Sequence, residues 1–125
     1  MNDREWVEQF IDKNEDKYIR ANDEIWGFAE LAFHEERSAE MLEEMLRREG
    51  FQVETGVAGI PTCFTGTWSQ GSGKPEMGIL GEYDALAGLS QEPGVAVKKE
   101  RQPGGAGHGC GHCALGTGAL AAAVA

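Results

Sequence analysis

No stretch of the sequence approaches the roughly eighteen consecutive apolar residues of a membrane-spanning helix, so we expect no membrane contact. The N-terminus also lacks the basic segment and apolar run that mark a signal peptide. Basic residues are scarce, since 11 Lys and Arg face 21 Asp and Glu and give a formal charge of -10. Because nucleic acids and anionic membranes attract basic surfaces, we expect neither as a partner.

Cysteine is rare as well, with three residues in a chain of 125. An odd, small number of cysteines fits a reducing compartment better than a disulfide framework, so we expect a cytoplasmic protein. Apolar residues still make up 41% of the chain, which is enough to form a core. The length is that of one domain or of part of a larger one.

The first fifty residues predict helices. Apolar residues recur at three-to-four spacing from Val7 to Ala32, interrupted only by Asn14, which predicts one bent helix or two in succession. Ser38 is predicted to cap the next helix, which ends at Gly50. Its predicted buried face consists of Leu42, Met45 and Leu46.

The rest of the chain is rich in glycine, with sixteen of the 18 glycines after residue 50. Apolar and β-branched residues predict strands at 51–54, 62–68 and 77–80, the last of them buried on both faces. Residues 85–107 show no periodicity and predict a loop. The fold class is therefore α/β, with N-terminal helices leading into the first strands of a mixed sheet.

Small apolar residues at 114–125 predict a buried helix. This helix is interior in character, and it continues to the last residue without a cap. We therefore expect the chain to be part of something longer.

The densest chemistry lies in the loop 104–113, where His108, Cys110, His112 and Cys113 stand among glycines. Imidazole and thiolate are the ligands that zinc and similar divalent ions prefer. Glycine allows backbone conformations that other residues avoid, so the loop could turn several side chains toward one point. We interpret this loop as a metal site.

Two carboxylates, Glu82 and Asp84, follow the predicted strand at 77–80. In α/β sheets, ligands gather at the carboxyl ends of strands. A carboxylate there could bind the metal ion or orient a metal-binding imidazole through its second nitrogen.

Other interpretations of the loop remain open. Cys110 and Cys113 form a C-x-x-C, the sequence of thiol-disulfide oxidoreductases. A structural zinc knuckle would need a second ligand pair far away in sequence. Cys63 and His34 do not supply that pair, because Cys63 is expected in the core and His34 on the surface.

Five blocks of the sequence are recognisable, namely Ile25-Trp-Gly-Phe-Ala-Glu-Leu-Ala-Phe-His-Glu, Val57-Ala-Gly-Ile-Pro-Thr, Leu80-Gly-Glu-Tyr-Asp-Ala-Leu, Gly88-Leu-Ser-Gln and Gly107-His-Gly-Cys-Gly-His. These blocks resemble the amidohydrolase branch of the zinc aminoacylase/carboxypeptidase metallopeptidase family, and most of all its p-aminobenzoyl-glutamate hydrolase B-subunit type. They occur in the family's order and cover nearly all of this chain, which corresponds to the first part of a typical member.

The resemblance implies a hydrolase with two divalent ions, zinc or manganese, that cuts an amide bond next to a free carboxylate. The substrate would be an N-acyl amino acid, an aminobenzoyl-glutamate or a dipeptide-like molecule. By the same resemblance Cys110 and His112 are metal ligands, and Asp84 is an orienting group near the metals. Cys113 stands where relatives usually carry Asn or Asp.

The resemblance also implies that residues 1–125 are the N-terminal part of the catalytic domain. The general base, further metal-binding histidines and a smaller lid domain would lie beyond residue 125. We therefore expect this chain to be inactive alone, or a non-catalytic metal-binding fragment. The full-length form is expected to be a homodimer or to need a partner subunit.

Overall fold

The computed structural model describes all 125 residues, as a mixed assembly of helices and one small sheet. The α/β composition predicted from the sequence is confirmed. None of the helices in the structure is both long enough and apolar enough to cross a bilayer. The elements are α1 (Asp3–Phe28), α2 (Glu36–Arg48), β1 (Gln52–Thr55), β2 (Phe64–Thr67) and α3 (His112–Val124), with a short 3-10 helix at Val57–Gly59.

Helix α1 is a single helix of 26 residues, which settles the question of one helix or two. It begins with a capping box, in which Asn2 and Glu5 satisfy each other's backbone N–H groups. It ends because Ala29 is left-handed, at φ 48°, so the helix stops short of Ala32. Its buried residues are Tyr18, Ala21 and Ile25.

Helix α2 begins differently from the prediction, because Ser38 lies inside its first turn and does not cap it. The carboxylate of Glu30 caps the helix from outside instead. It accepts the backbone N–H groups of Arg37 and Ser38, each at 2.9 Å, and the Ser38 hydroxyl at 2.7 Å. Ser38 is fully buried as a result. Gly50, at φ 86°, follows the helix end as predicted.

The two strands pair antiparallel, with Gln52 opposite Thr67 and Thr55 opposite Phe64. They lie where the sequence predicts them. Gly66 brings the sheet close to α2, because a Cβ at this position would lie 2.8 Å from Cδ1 of Leu46. The sheet therefore covers one side of α2.

A single hydrophobic core joins the three helices, and α1 packs across both α2 and α3. Fully burying one Leu or Ile side chain contributes about 1.5–3 kcal/mol, so each large aliphatic member of this cluster stabilises the fold by about that amount. Its buried members are Tyr18, Ile25, Leu42, Leu46, Cys113, Leu120 and Ala121.

Two predictions in the glycine-rich part are wrong. Residues 77–80 form no strand, and Met77 and Leu80 are 85% and 93% exposed, because no strand of this chain lies beside them. Helix α3 is buried on one face only, and Leu115 on its outer face is 47% exposed. Both segments are apolar on sides that the described residues do not cover.

Candidate metal centre

The candidate site lies where α3 begins. His112 is the first residue of α3, and its Nδ1 lies 2.7 Å from Oδ1 of Asp84. Its Nε2 lies 3.2 Å from Oε2 of Glu82. One imidazole is thus held between two carboxylates, and the ligand atoms of the three residues all lie within 4.8 Å of one another.

The segment that carries both carboxylates is fixed on its far side by hydrogen bonds. The backbone N–H of Ala85 donates to the carbonyl of Glu30 at 2.7 Å. The hydroxyl of Tyr83 donates to the carbonyl of Thr62, whose own hydroxyl donates to Glu35 at 2.8 Å. Burial raises the pKa of Tyr83 far above its usual value, and the nearby charge of Glu35 adds to the effect, so the phenol stays a donor.

Glycines allow the same segment to touch α3. A Cβ on Gly116 would lie 2.9 Å from the carbonyl oxygen of Glu82 and 3.0 Å from Cβ of Tyr83. A Cβ on Gly81 would lie 2.9 Å from Cβ of Ala119. Gly116 is one helical turn after His112 and therefore on the same side of α3. The close contact at Gly116 therefore keeps the segment that carries Glu82 and Asp84 next to the imidazole of His112.

The glycines of the loop before α3 mainly allow close packing, whereas the sequence predicted that they turn several side chains toward one point. Gly107 and Gly109 lie directly against Leu89, so close that a Cβ on either would overlap it. Gly107 also pairs with Leu86 in an antiparallel bridge. Gly111, at φ 80°, makes the turn that starts α3. These glycines mainly permit close packing, with one positive φ at the helix start.

Of the four loop side chains that were predicted to converge, only His112 lies in this three-residue group. His108 turns toward α1, where its Nε2 lies 3.1 Å from the carbonyl oxygen of Ile25 and its Nδ1 is buried without a partner. Burial lowers the pKa of His108 below its usual value. Cys113 lies in the hydrophobic core, where burial raises the pKa of its thiol.

Of the predicted site residues, the structure brings Asp84 and His112 together. Cys110 is exposed and lies outside the three-residue group, two positions before His112. His34 is exposed, as predicted. Cys63 was expected in the core, but it is half-buried next to β2 and is not a member of the core cluster.

Glu82 is the member of the group that the sequence analysis named beside Asp84 but did not include among the assigned site residues. A signal for it was present, because residues two apart in extended chain point to the same side. Glu82 and Asp84 are two apart, so a ligand near one is near the other. The N and O donors of the group are ones that zinc and manganese accept. The contact of Asp84 with Nδ1 is the carboxylate–histidine arrangement found behind metal-binding imidazoles.

No family model matches the chain. The chain is nevertheless similar in sequence to a hydrolase subunit. The particular relative is the B-subunit of p-aminobenzoyl-glutamate hydrolase from Escherichia coli (strain K12), which is 45% identical over 120 residues. The match covers 96% of this chain and 24% of the relative, so the chain spans about a quarter of that protein's length. The resemblance predicted from the sequence is confirmed.

Proposed function

We propose that residues 1–125 are the N-terminal part of the catalytic domain of a metal-dependent amidohydrolase. The substrate would carry a free carboxylate beside the scissile amide, as in an N-acyl amino acid, an aminobenzoyl-glutamate or a dipeptide-like molecule. The observation that supports this most is the contact of Asp84 with His112, within motifs shared with a hydrolase subunit at 45% identity. The remainder of the catalytic domain and a lid domain would be formed by residues beyond residue 125 of the full-length protein.

In this proposal Cys110 and His112 hold a divalent ion, zinc or manganese, which is one of two. Asp84 accepts the Nδ1–H of His112, which fixes the tautomer and leaves the lone pair of Nε2 for the ion. Bound divalent ions would polarise the scissile carbonyl and acidify a water molecule. Asp84 is thus the positioning residue, and its role is to hold the imidazole in one orientation.

No general base is assigned within these residues, so we expect the 125-residue chain alone to be catalytically silent. The relative is named as one subunit of a hydrolase, which favours a partner subunit or a homodimer for the complete protein. A cytoplasmic location suits the site, because a reducing compartment keeps Cys110 from being oxidised to a disulfide.

A chimera tests the proposal. This chain replaces the matching quarter of the E. coli B-subunit, and hydrolysis of p-aminobenzoyl-glutamate is measured with zinc or manganese supplied. We expect activity that a chelator removes and that C110S or H112A lowers by orders of magnitude. C63S is the matched control, because Cys63 is a thiol outside the site, and it should leave the activity unchanged.

The proposal fails if the chimera folds and assembles but has no metal-dependent hydrolysis. It fails equally if C110S and H112A are as active as C63S. A correctly folded chimera is recognised by circular dichroism and by the same oligomeric state as the parent E. coli protein.

A second candidate is a thiol-disulfide oxidoreductase that uses Cys110 and Cys113. One observation favours it, since Cys110 is exposed just before α3 while Cys113 is buried in the first turn of that helix. A metal-free protein whose two thiols oxidise to an internal disulfide near the glutathione potential would support this function. Stoichiometric metal binding by an inactive chimera would instead support a non-catalytic metal-binding fragment.

A further inference from the structure

We propose that Glu82 supplies a third ligand to the divalent ion held by Cys110 and His112. This inference rests on the proposed function, and it adds a residue that the family resemblance did not assign. Its starting point is the 3.2 Å distance between Oε2 of Glu82 and Nε2 of His112.

The chemistry of that contact requires a positive charge, either a proton or a metal ion, between the two atoms. Because Nδ1–H of a neutral His112 is donated to Asp84, Nε2 presents a lone pair toward the carboxylate of Glu82. A lone pair and a carboxylate oxygen attract each other only through a proton or a metal ion between them. The site is therefore arranged around a positive charge.

The distance also fits one shared ion. Two ligand atoms at about 2.1 Å from a zinc ion lie about 3.4 Å apart at a tetrahedral angle and about 3.0 Å apart at a right angle. The observed 3.2 Å lies between these values. Glu82 and His112 could therefore bind the same ion with little movement of either side chain.

Exposure separates the roles of the two carboxylates. The side chain of Asp84 is 23% exposed and is engaged with Nδ1, whereas that of Glu82 is 67% exposed and has His112 as its only polar side-chain contact. Asp84 is thus placed to orient the imidazole, and Glu82 is placed on the open side from which an ion enters.

The backbone at Glu82 is held firmly enough for this role. Its carbonyl oxygen lies against Gly116, and Gly81 lies against Ala119, so the segment is seated on α3 at two points. His112 is on the same helix. The backbone of Glu82 is therefore packed directly against the helix that carries His112, which favours a preorganised pair of ligands.

Cobalt(II) titration of this chain tests the inference, with the visible and near-ultraviolet spectra as the readout. The E82Q substitution removes the charge and keeps the size. E76Q is the matched control, because Glu76 is an exposed carboxylate six residues earlier on the same segment. We expect E82Q to weaken cobalt binding at least about tenfold, the range for losing even an outer partner of a ligand, while E76Q binds like the parent.

The spectra separate two kinds of failure. A thiolate-to-cobalt band that persists in E82Q with weaker binding supports the inference, since Cys110 still binds. Equal affinity and equal spectra of E82Q and E76Q would overturn the role of Glu82 and leave the proposed function intact. Absence of any cobalt-dependent band in the parent chain would overturn both.

Discussion

The first fifty residues and the remaining seventy-five stabilise structure in opposite ways. The first part consists of two helices, of 26 and 13 residues, that bury apolar side chains, such as Ile25 and Leu42, against each other and α3. The second part has only 4-residue strands and one helix of 13 residues. Its segments are held in place by close contacts at glycines, such as Gly107 and Gly116. The candidate site lies in this second part.

The two parts are expected to differ in how well they tolerate substitutions. A hydrophobic core tolerates exchange of one apolar residue for another of similar volume. A contact at which a glycine touches backbone tolerates no added atom, because the neighbour cannot rotate away. The site is therefore predicted to be more sensitive to small substitutions than the helical core is, although core truncations cost more stability.

The largest effect is expected from L42A in the core. Leu42 is 2% exposed, so truncation should lower the free energy of unfolding by about 2–5 kcal/mol. L115A makes the same change on the outer face of α3, where Leu115 is 47% exposed, and should cost far less. Urea unfolding followed by circular dichroism measures both. Similar losses for the two variants would mean that the outer face of α3 is covered in solution.

Replacing two glycines of α3 by alanine is expected to change the stability by smaller amounts and in opposite directions. G116A places a Cβ 2.9 Å from the carbonyl oxygen of Glu82, which should cost about 1–3 kcal/mol and shift both carboxylates away from His112. G118A meets no atom within 4 Å and should stabilise the helix by about 0.5–1 kcal/mol.

The glycine pair also tests the link between packing and metal binding. Cobalt affinity should fall in G116A and stay unchanged in G118A. If both variants are stabilised and bind cobalt equally, the contact at Gly116 does not position the site.

A loss of stability smaller than those of L42A and G116A is expected at the start of α2. E30A removes the carboxylate that accepts two backbone N–H groups and the Ser38 hydroxyl, and should cost about 1–2 kcal/mol, as losing a helix cap does. E40A removes an exposed carboxylate within α2 and serves as the control. Amide hydrogen exchange at Arg37 and Ser38 should accelerate in E30A alone. Equal exchange in the two variants would contradict the cap.

Much of the fold was predictable because its signals are local. The periodic apolar residues of α1, the glycine after α2 and the two paired strands each follow from a few neighbouring residues. The cap of α2 was missed because Glu30 lies eight residues before Ser38 and outside the helix. The strand predicted at 77–80 failed because strand formation needs a neighbour, and this chain supplies none there.

The candidate site was predictable only in part. The types of residue indicated Asp84 and His112, and the structure places them together. The destination of His108 under α1 was not predictable, because nothing in the loop sequence distinguishes it from His112. The position of Glu82 depends on Gly116 and Gly81, whose contacts join segments far apart in sequence.

The central claim is that one thiolate and one imidazole of this chain bind the same divalent ion. X-ray absorption at the zinc edge of the zinc-loaded chain measures this directly. The account predicts a single sulfur at about 2.3 Å, with the remaining shell of nitrogen and oxygen at about 2.0–2.2 Å. Two sulfurs in the shell would show Cys110 and Cys113 acting as a pair, and a shell without sulfur would remove Cys110 from the site. Either result would contradict the account.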